Sequence, residues 1–397
     1  MPPANAVCAV ATVSESSPAT VIRAVRAWRL PPQPNGLPQG LPPEVQAAAS
    51  DPAGPSWSEH RDRFALCLAA EGGTGWAGPV SAVVLQVIKD DHAAGLIGHD
   101  ATAHRCLPYR TTTGRHRSGP HARAAASTIE VACWDLHSRA SGSSITGLLG
   151  GPVRSRVPAY ASALGLDPTH PAAAETAAWI TQVGFWGQKW PLPKALIAEG
   201  PRAVARLLGR LRDAAGDGHF MIDGLCRCRA DDALALMPVL ASLSVTWAEE
   251  LVPAGSQGWQ RIRASPAAVP LAAGEHVADR EDQARLLASG AIDIWQPDAG
   301  WCGGISRALH TIDVAADLGI PAFPHGSALN ASLAVAAACC RDKVPAVEWH
   351  LTVEPLRQQV HHDPLTVSGG GLASRASAGL SDGLKVTGKT PEWAVGQ

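Results

Sequence analysis

Seven ionisable residues stand at the ends of short apolar runs: Lys189, Asp223, Glu249, Glu275, Asp298, His325 and Glu348. Asp223, Glu249 and Glu275 end three successive runs. Carboxylates gathered in one place repel one another unless a cation lies between them. An all-oxygen donor set favours Mg2+ or Mn2+ over zinc. Glu250 is the alternative to Glu249, because alternation along a strand sends one of the pair inward and the other outward. Asp298 lies in the stretch 292–304, IDIWQPDAGWCGG, where a β-type run meets a glycine-rich turn. His325 ends the next run. A carboxylate bonded to one imidazole nitrogen fixes the tautomer and stabilises the imidazolium, which leaves the other nitrogen to move a proton. The glycines at 300–304 are expected to keep Asp298 beside His325. Glu348 is a candidate partner for a substrate oxygen. Lys189 is a candidate to bind a substrate carboxylate or to act as a base on the opposite face. His276, Trp301 and Trp190 are the remaining candidate substrate contacts.

Residues so far apart in sequence need a scaffold that brings them to one place. From about residue 155, apolar runs recur at 157–162, 184–189, 219–223, 245–250, 269–275, 292–298, 320–325 and 346–350. Helical periodicity fills most of the gaps, at 203–214, 232–241, 280–288, 306–318 and 329–338. Eight strand–helix alternations predict an α/β fold built on a TIM-type barrel, whose strand ends converge on one face. An open doubly wound sheet would carry a glycine-rich phosphate turn after its first strand, and Tyr160-Ala161-Ser162-Ala163-Leu164-Gly165 is not one.

Upstream, 20–28 and 63–69 alternate like strands, and a turn at 71–75 follows the second. Residues 80–95 and 122–140 read as helices; Ile129, Ala132, Cys133 and Leu136 share one face of the latter. The stretch 30–55 is punctuated by proline and glycine and reads as a surface loop or lid with no lasting helix or strand. The predicted organisation is an α+β capping domain over 1–150, a barrel over 151–353, and a segment 354–397 that returns to the capping domain.

Of the 397 residues, 46% are apolar and 17% charged, as in a soluble globular protein. A formal net charge of −2 argues against a nucleic-acid surface or a polybasic membrane patch. No apolar run approaches the roughly 18 residues that span a bilayer, and the N-terminus has no basic n-region of a signal peptide. Nine cysteines without CxxC spacing suggest reduced thiols and a cytoplasmic setting. Cys226-Arg227-Cys228 has no second pair and is not expected to bind zinc.

Several strings together resemble the enolase superfamily in its mandelate racemase-like branch. They are Ala132-Cys133-Trp134-Asp135-Leu136, Leu148-Leu149-Gly150-Gly151, Ile222-Asp223, Trp247-Ala248-Glu249-Glu250, Gly274-Glu275-His276, Gln296-Pro297-Asp298, Gly303-Gly304 and Pro324-His325-Gly326. The resemblance implies a capping domain over a (β/α)7β barrel and abstraction of a proton α to a carboxylate. It also implies one Mg2+ on Asp223, Glu249 and Glu275, Asp298–His325 as the acid/base pair, and a homo-oligomer. QPDAGWCGG, GEH and PHGS are most similar to the L-rhamnonate dehydratase-type acid-sugar dehydratases. Where branch members carry a second lysine of a Lys-x-Lys pair, this chain has Pro191, which favours β-elimination over racemisation. The expected activity is therefore a Mg2+-dependent hydro-lyase that converts a small sugar acid into a 2-keto-3-deoxy acid. A racemase or epimerase using Lys189 opposite His325 and a catalytically silent member are the alternatives. Two departures stand out: Leu225 replaces the Asn that many relatives have there, and 30–55 lacks a matching histidine or arginine.

Overall fold

The computed structural model describes residues 18–32, 37, 40–49, 63–106, 119–267 and 269–397. Near the N-terminus, β1 (Ala24–Arg29), β2 (Phe64–Ala70) and β3 (Gly73–Val80) form an antiparallel meander. Val25, Leu66 and Leu68 are buried in the same core as Ile129, Ala132, Cys133 and Leu136 of the helix Pro120–Ser141. Gly75 lets β3 lie close on that helix, since a Cβ there would overlap the carbonyl oxygen of Ala132.

Residues 80–95 do not form one regular helix. Val80 ends β3, and a helix at Ala82–Val87 passes through a π turn, Ile88–His92, into Ala93–Leu96. The i to i+5 turn is wider than an α turn. Residues four apart therefore stay on one side, and Ile88, His92 and Leu96 are all buried. Within 30–55, a short helix forms at Pro43–Ala47 despite the local proline content. Proline at the first helical position loses no needed N–H. Val45 and Ala48 are buried, and Asp167 N donates to Ala48 O at 2.6 Å, so this part rests on the turn after the first barrel strand. Residues 33–36, 38–39 and 50–55 of the expected lid lie outside the described residues.

The barrel strands are β4 (Arg156–Ser162), β5 (Gly187–Pro191), β6 (His219–Asp223), β7 (Trp247–Glu249), β8 (Leu271–Ala273), β9 (Ile294–Trp295) and β10 (Val347–His350). They pair in parallel in the order β10-β4-β5-β6-β7-β8-β9. The expected strand at 320–325 is reduced to one bridge, Trp295↔Ala322. Pro321 and Pro324 supply no N–H, which thins the ladder. The curl is nevertheless continued by Phe323 N→Trp295 O (2.8 Å) and Ala322 N→Lys343 O (2.8 Å).

Below the mouth, Tyr160, Met221, Trp247, Ala272, Ile294, Phe323 and Ala346 fill the barrel interior. The tail ties the two parts together. β11 (Gly371–Ala373) runs antiparallel to β4, and β12 (Trp393–Gly396) pairs with β1. No helix among the described residues is long and apolar enough to cross a membrane.

Candidate active site

The pleat of β5 places Lys189 inside the barrel. Its Nζ lies 2.6 Å from Glu249 Oε1, 3.1 Å from Glu348 Oε1 and 3.3 Å from Asp223 Oδ2. Burial opposes the charge, but Glu249 and Glu348 hold the lysine proton well above the ordinary range. Lys189 is thus a buried ammonium clamped by carboxylates. The same pleat turns Gln188 and Trp190 outward. Gln188 donates to Ala177 O of the helix Ala172–Val183 at 3.1 Å, and Trp190 Nε1 donates to Gln188 Oε1 at 2.8 Å. Trp190 is 0% exposed and part of the core, so it does not reach the mouth as the sequence reading expected.

Asp223 and Glu249 are in register on β6 and β7. Glu275 follows β8, which ends at Ala273. Glu249 is pulled inward by more than Lys189, because its Oε2 accepts from Gln296 Nε2 at 2.6 Å and Trp247 Nε1 at 3.1 Å. As a result Asp223, Glu249 and Glu275 are not the tightest group. Among the described residues, donor atoms lying mutually within 4.8 Å belong to Glu250, Glu275 and His276.

Asp298 is wholly buried and spans three partners. Its Oδ1 accepts from Gly300 N at 2.6 Å and from Ser327 Oγ, and its Oδ2 faces His325 Nδ1. His325 Nε2 lies 3.2 Å from Glu275 Oε2 and 3.7 Å from Glu348 Oε2. Burial disfavours the imidazolium, but Glu275 and Glu348, with Asp298, raise the His325 pKa to about 10. Glu348 also accepts from Gly326 N at 3.1 Å. Burial opposes its ionisation, yet Lys189 and His325 hold it well below the usual carboxylate range. The Trp301 ring lies 5.0 Å from that of His325 and 5.8 Å from that of His276. Both expected contacts therefore stand at the mouth, and the His276 side chain is 65% exposed.

The glycine turn has a second task that the sequence reading missed. Gly303 N donates to Ser127 Oγ (2.9 Å), Ile305 N to Glu130 Oε2 (2.7 Å) and Ser306 N to Glu130 Oε1 (3.0 Å). Glu130 belongs to the long capping-domain helix, and it caps the barrel helix Ile305–Asp317. A carboxylate beside Ile129 and Cys133 on an apolar face was the available signal. Gln296 and Ser327 were legible only as neighbours of Asp298 and His325.

The donor set suits an oxygen-liganded divalent ion. Six carboxylates, Asp223, Glu249, Glu250, Glu275, Asp298 and Glu348, face Lys189, His276 and His325. Even with both imidazoles protonated, a surplus of three negative charges remains. Burial raises Glu249 and Glu275 to about 7, against the pull of Lys189 and His325; Asp223 adds to the rise at Glu249, and Glu249 to that at Glu275. Such mutual repulsion is what a cation relieves. Asp223, Glu249 and Glu275, at the ends of three adjacent strands, could hold it.

Comparison with known proteins agrees with this architecture. Residues 172–385 match the enolase C-terminal domain-like family, and 65–150 match the N-terminal domain of mandelate racemase / muconate lactonizing enzymes. The chain is 32% identical to a D-galactarolactone cycloisomerase of Agrobacterium fabrum over 272 residues, 64% of this chain and 70% of the relative. Among solved structures, a 3,6-anhydro-D-galactonate cycloisomerase from Zobellia galactanivorans superposes with a TM-score of 0.70 at 23% identity, covering 89% of this chain and 96% of that one. A racemase from Streptomyces coelicolor A3(2) with bound magnesium gives 0.72 at 20% identity, covering 92% and 97%.

Proposed function

This chain belongs to the enolase superfamily, among the mandelate racemase / muconate lactonizing enzymes, and we propose that it catalyses a one-base β-elimination on a sugar acid. The observation that supports the reading is that, among the described residues, His325 stands at the mouth with Asp298 behind its Nδ1 while the opposite face offers no comparable base. On β5, Lys189 is an ammonium held by three carboxylates, and the next inward position is Pro191. Racemisation needs a base on each face, whereas β-elimination can use one histidine twice.

His325 Nε2 takes the proton α to the substrate carboxylate. Asp298, fixed by Gly300 N and Ser327, holds the Nδ1 tautomer and stabilises the imidazolium. The imidazolium then returns the proton to the departing β oxygen. One C–H and one C–O bond break, a C=C bond forms, and the enol relaxes to a 2-keto acid. Asp223, Glu249 and Glu275 would hold a divalent ion such as Mg2+, which would supply Lewis-acid stabilisation of the developing carboxylate charge and would engage Glu275, one of the carboxylates that keep His325 protonated. Lys189 keeps Glu348 compensated. Trp301 and His276 border the space beside His325.

If the β oxygen is a hydroxyl, water leaves and the protein is an acid-sugar dehydratase, with an aldonate such as L-rhamnonate as the expected substrate type. The 32% identity to a D-galactarolactone cycloisomerase favours a second reading. There the β oxygen is a lactone ring oxygen, and the product is an isomer of the substrate. A panel of aldonates, aldarates and their lactones in D2O separates the two. Apart from incorporated deuterium, a semicarbazide-reactive product lighter by one water marks dehydration, and one of unchanged formula marks ring opening. Inversion at the α carbon with the β oxygen retained would refute both.

A further inference from the structure

Beside Asp223 and Glu249 lies a second donor group, Glu250, Glu275 and His276, that shares Glu275 with the proposed Mg2+ site. Glu250 directly follows Glu249, and with Glu249 pointing into the barrel its side chain turns the other way. Its Oε2 lies 3.1 Å from His276 Nδ1 and 3.2 Å from Cys226 Sγ. His276 Nδ1 is also 3.2 Å from Glu275 Oε1. Glu250 is buried, whereas His276 opens to solvent, so an ion has a way in. Glu250 and Cys226 are non-glycine residues at φ +36° and +53°, and Cys226 N donates to Glu250 O at 2.7 Å. Backbone held in that region is stabilised by its surroundings and concentrates at functional sites.

We propose that Glu250, Glu275 and His276, with the Cys226 thiol beside Glu250, bind a borderline transition ion of the Zn2+ type at the barrel mouth, sharing Glu275 with the Mg2+ carboxylates. Imidazole, thiolate and carboxylate together are a zinc donor set, whereas a Mg2+ site is built from oxygen alone. Ligand bonds of about 2.0–2.3 Å place tetrahedral donors roughly 3.3–3.7 Å apart; His276 Nδ1 lies 3.1 Å from Glu250 and 3.2 Å from Glu275, and the donor atoms of these three residues all lie within 4.8 Å of one another. Cys228 takes no part: it is buried in the core, and its N–H bonds to Leu251 O. The thiol thus finds partners on other strands rather than in its own Cys-x-Cys pair. Because Glu275 is shared and His276 stands beside Trp301, occupancy closes the mouth, and Zn2+ acts as a reversible inhibitor.

The test is calorimetric titration of Zn2+ into the full chain with Mg2+ in excess, paired with Co2+ absorption. One Zn2+ per chain is expected. Glu250→Gln and His276→Ala each weaken it at least about tenfold, the scale seen when metal sites lose even outer-shell partners. Cys226→Ser removes the thiolate-to-Co2+ charge-transfer band and leaves turnover with Mg2+ alone unchanged. Zn2+ uptake that Mg2+ displaces one for one, that is indifferent to Glu250→Gln, or that does not occur overturns the proposal. The binding readout needs no turnover, so it stands or falls apart from the elimination reading.

Discussion

Replacing Gly304 with alanine attacks the joint between the two domains at its tightest point. Gly304 has φ +93° and ψ −168°, a conformation open almost solely to glycine. Forcing alanine into it costs about 1–3 kcal/mol. The added Cβ would overlap Glu130 Oε2 and lie 2.5 Å from its Cδ. Glu130 must then leave the N–H groups of Ile305 and Ser306, each bonded to a charged acceptor worth about 1.5–3 kcal/mol. The sum is at least about 4 kcal/mol, a large share of the 5–15 kcal/mol typical of a domain. Glu130→Ala loses the same two bonds, about 3 kcal/mol or more, but empties the space the new methyl needs. The nearest remaining atom is the Cβ of residue 130 at 2.8 Å, which a small shift relieves. The double variant should therefore cost about 1–3 kcal/mol more than Glu130→Ala alone, and fall short of the summed singles by about 3 kcal/mol. Urea unfolding at pH 8, with the four proteins side by side, measures this. Additivity within about 0.5 kcal/mol would show that Gly304 and Glu130 do not interact and would refute the joint.

Burial raises the Glu130 pKa to about 7 despite its bonds from Ser306, Ile305 and Trp134. The folded state then binds more protons than the unfolded state between about pH 4.5 and 7, so the contribution of Glu130 falls as pH rises through that window. The stability of wild type minus Glu130→Gln should drop by about 3 kcal/mol across it; a flat difference in urea titrations contradicts the assignment. Lys189→Met leaves three buried carboxylates uncompensated and should cost about 3–5 kcal/mol in the absence of divalent ions, partly regained with Mg2+; wild-type melting in EDTA would speak against the clamp. Trp190→Ala should lose about 3–5 kcal/mol through a core cavity while KM stays unchanged, and a raised KM with intact stability would return Trp190 to the mouth.

The strand–helix alternation was readable because buried parallel strands and amphipathic helices have distinct periods. Lengths were not, since Pro270, Pro297, Pro321 and Pro324 shorten ladders that composition alone would extend. Asp223, Glu249, Glu275, Asp298, His325 and Glu348 were found because each ends an apolar run, and the structure gathers all of them around one mouth. Trp190 was misread because its neighbour Lys189 points inward, and alternation then demands that the tryptophan point out. Glu130 escaped notice because its partners lie about 175 residues away, a distance no local pattern bridges. The same limit hid the Cys226–Glu250–His276 contacts, which only strand adjacency creates.

We propose His325, poised by Asp298, as the single base. The most direct measurement is exchange of the substrate's α hydrogen with solvent, read as release of an α-deuterium label into water during turnover of the substrate identified by the panel, for wild type and His325→Asn, with folding and Mg2+ affinity checked alongside. Exchange should fall on the order of 10⁴-fold in the variant, the scale of losing a general base from a catalytic unit, while the fold and metal binding persist. Exchange retained within about tenfold of wild type would place the base elsewhere.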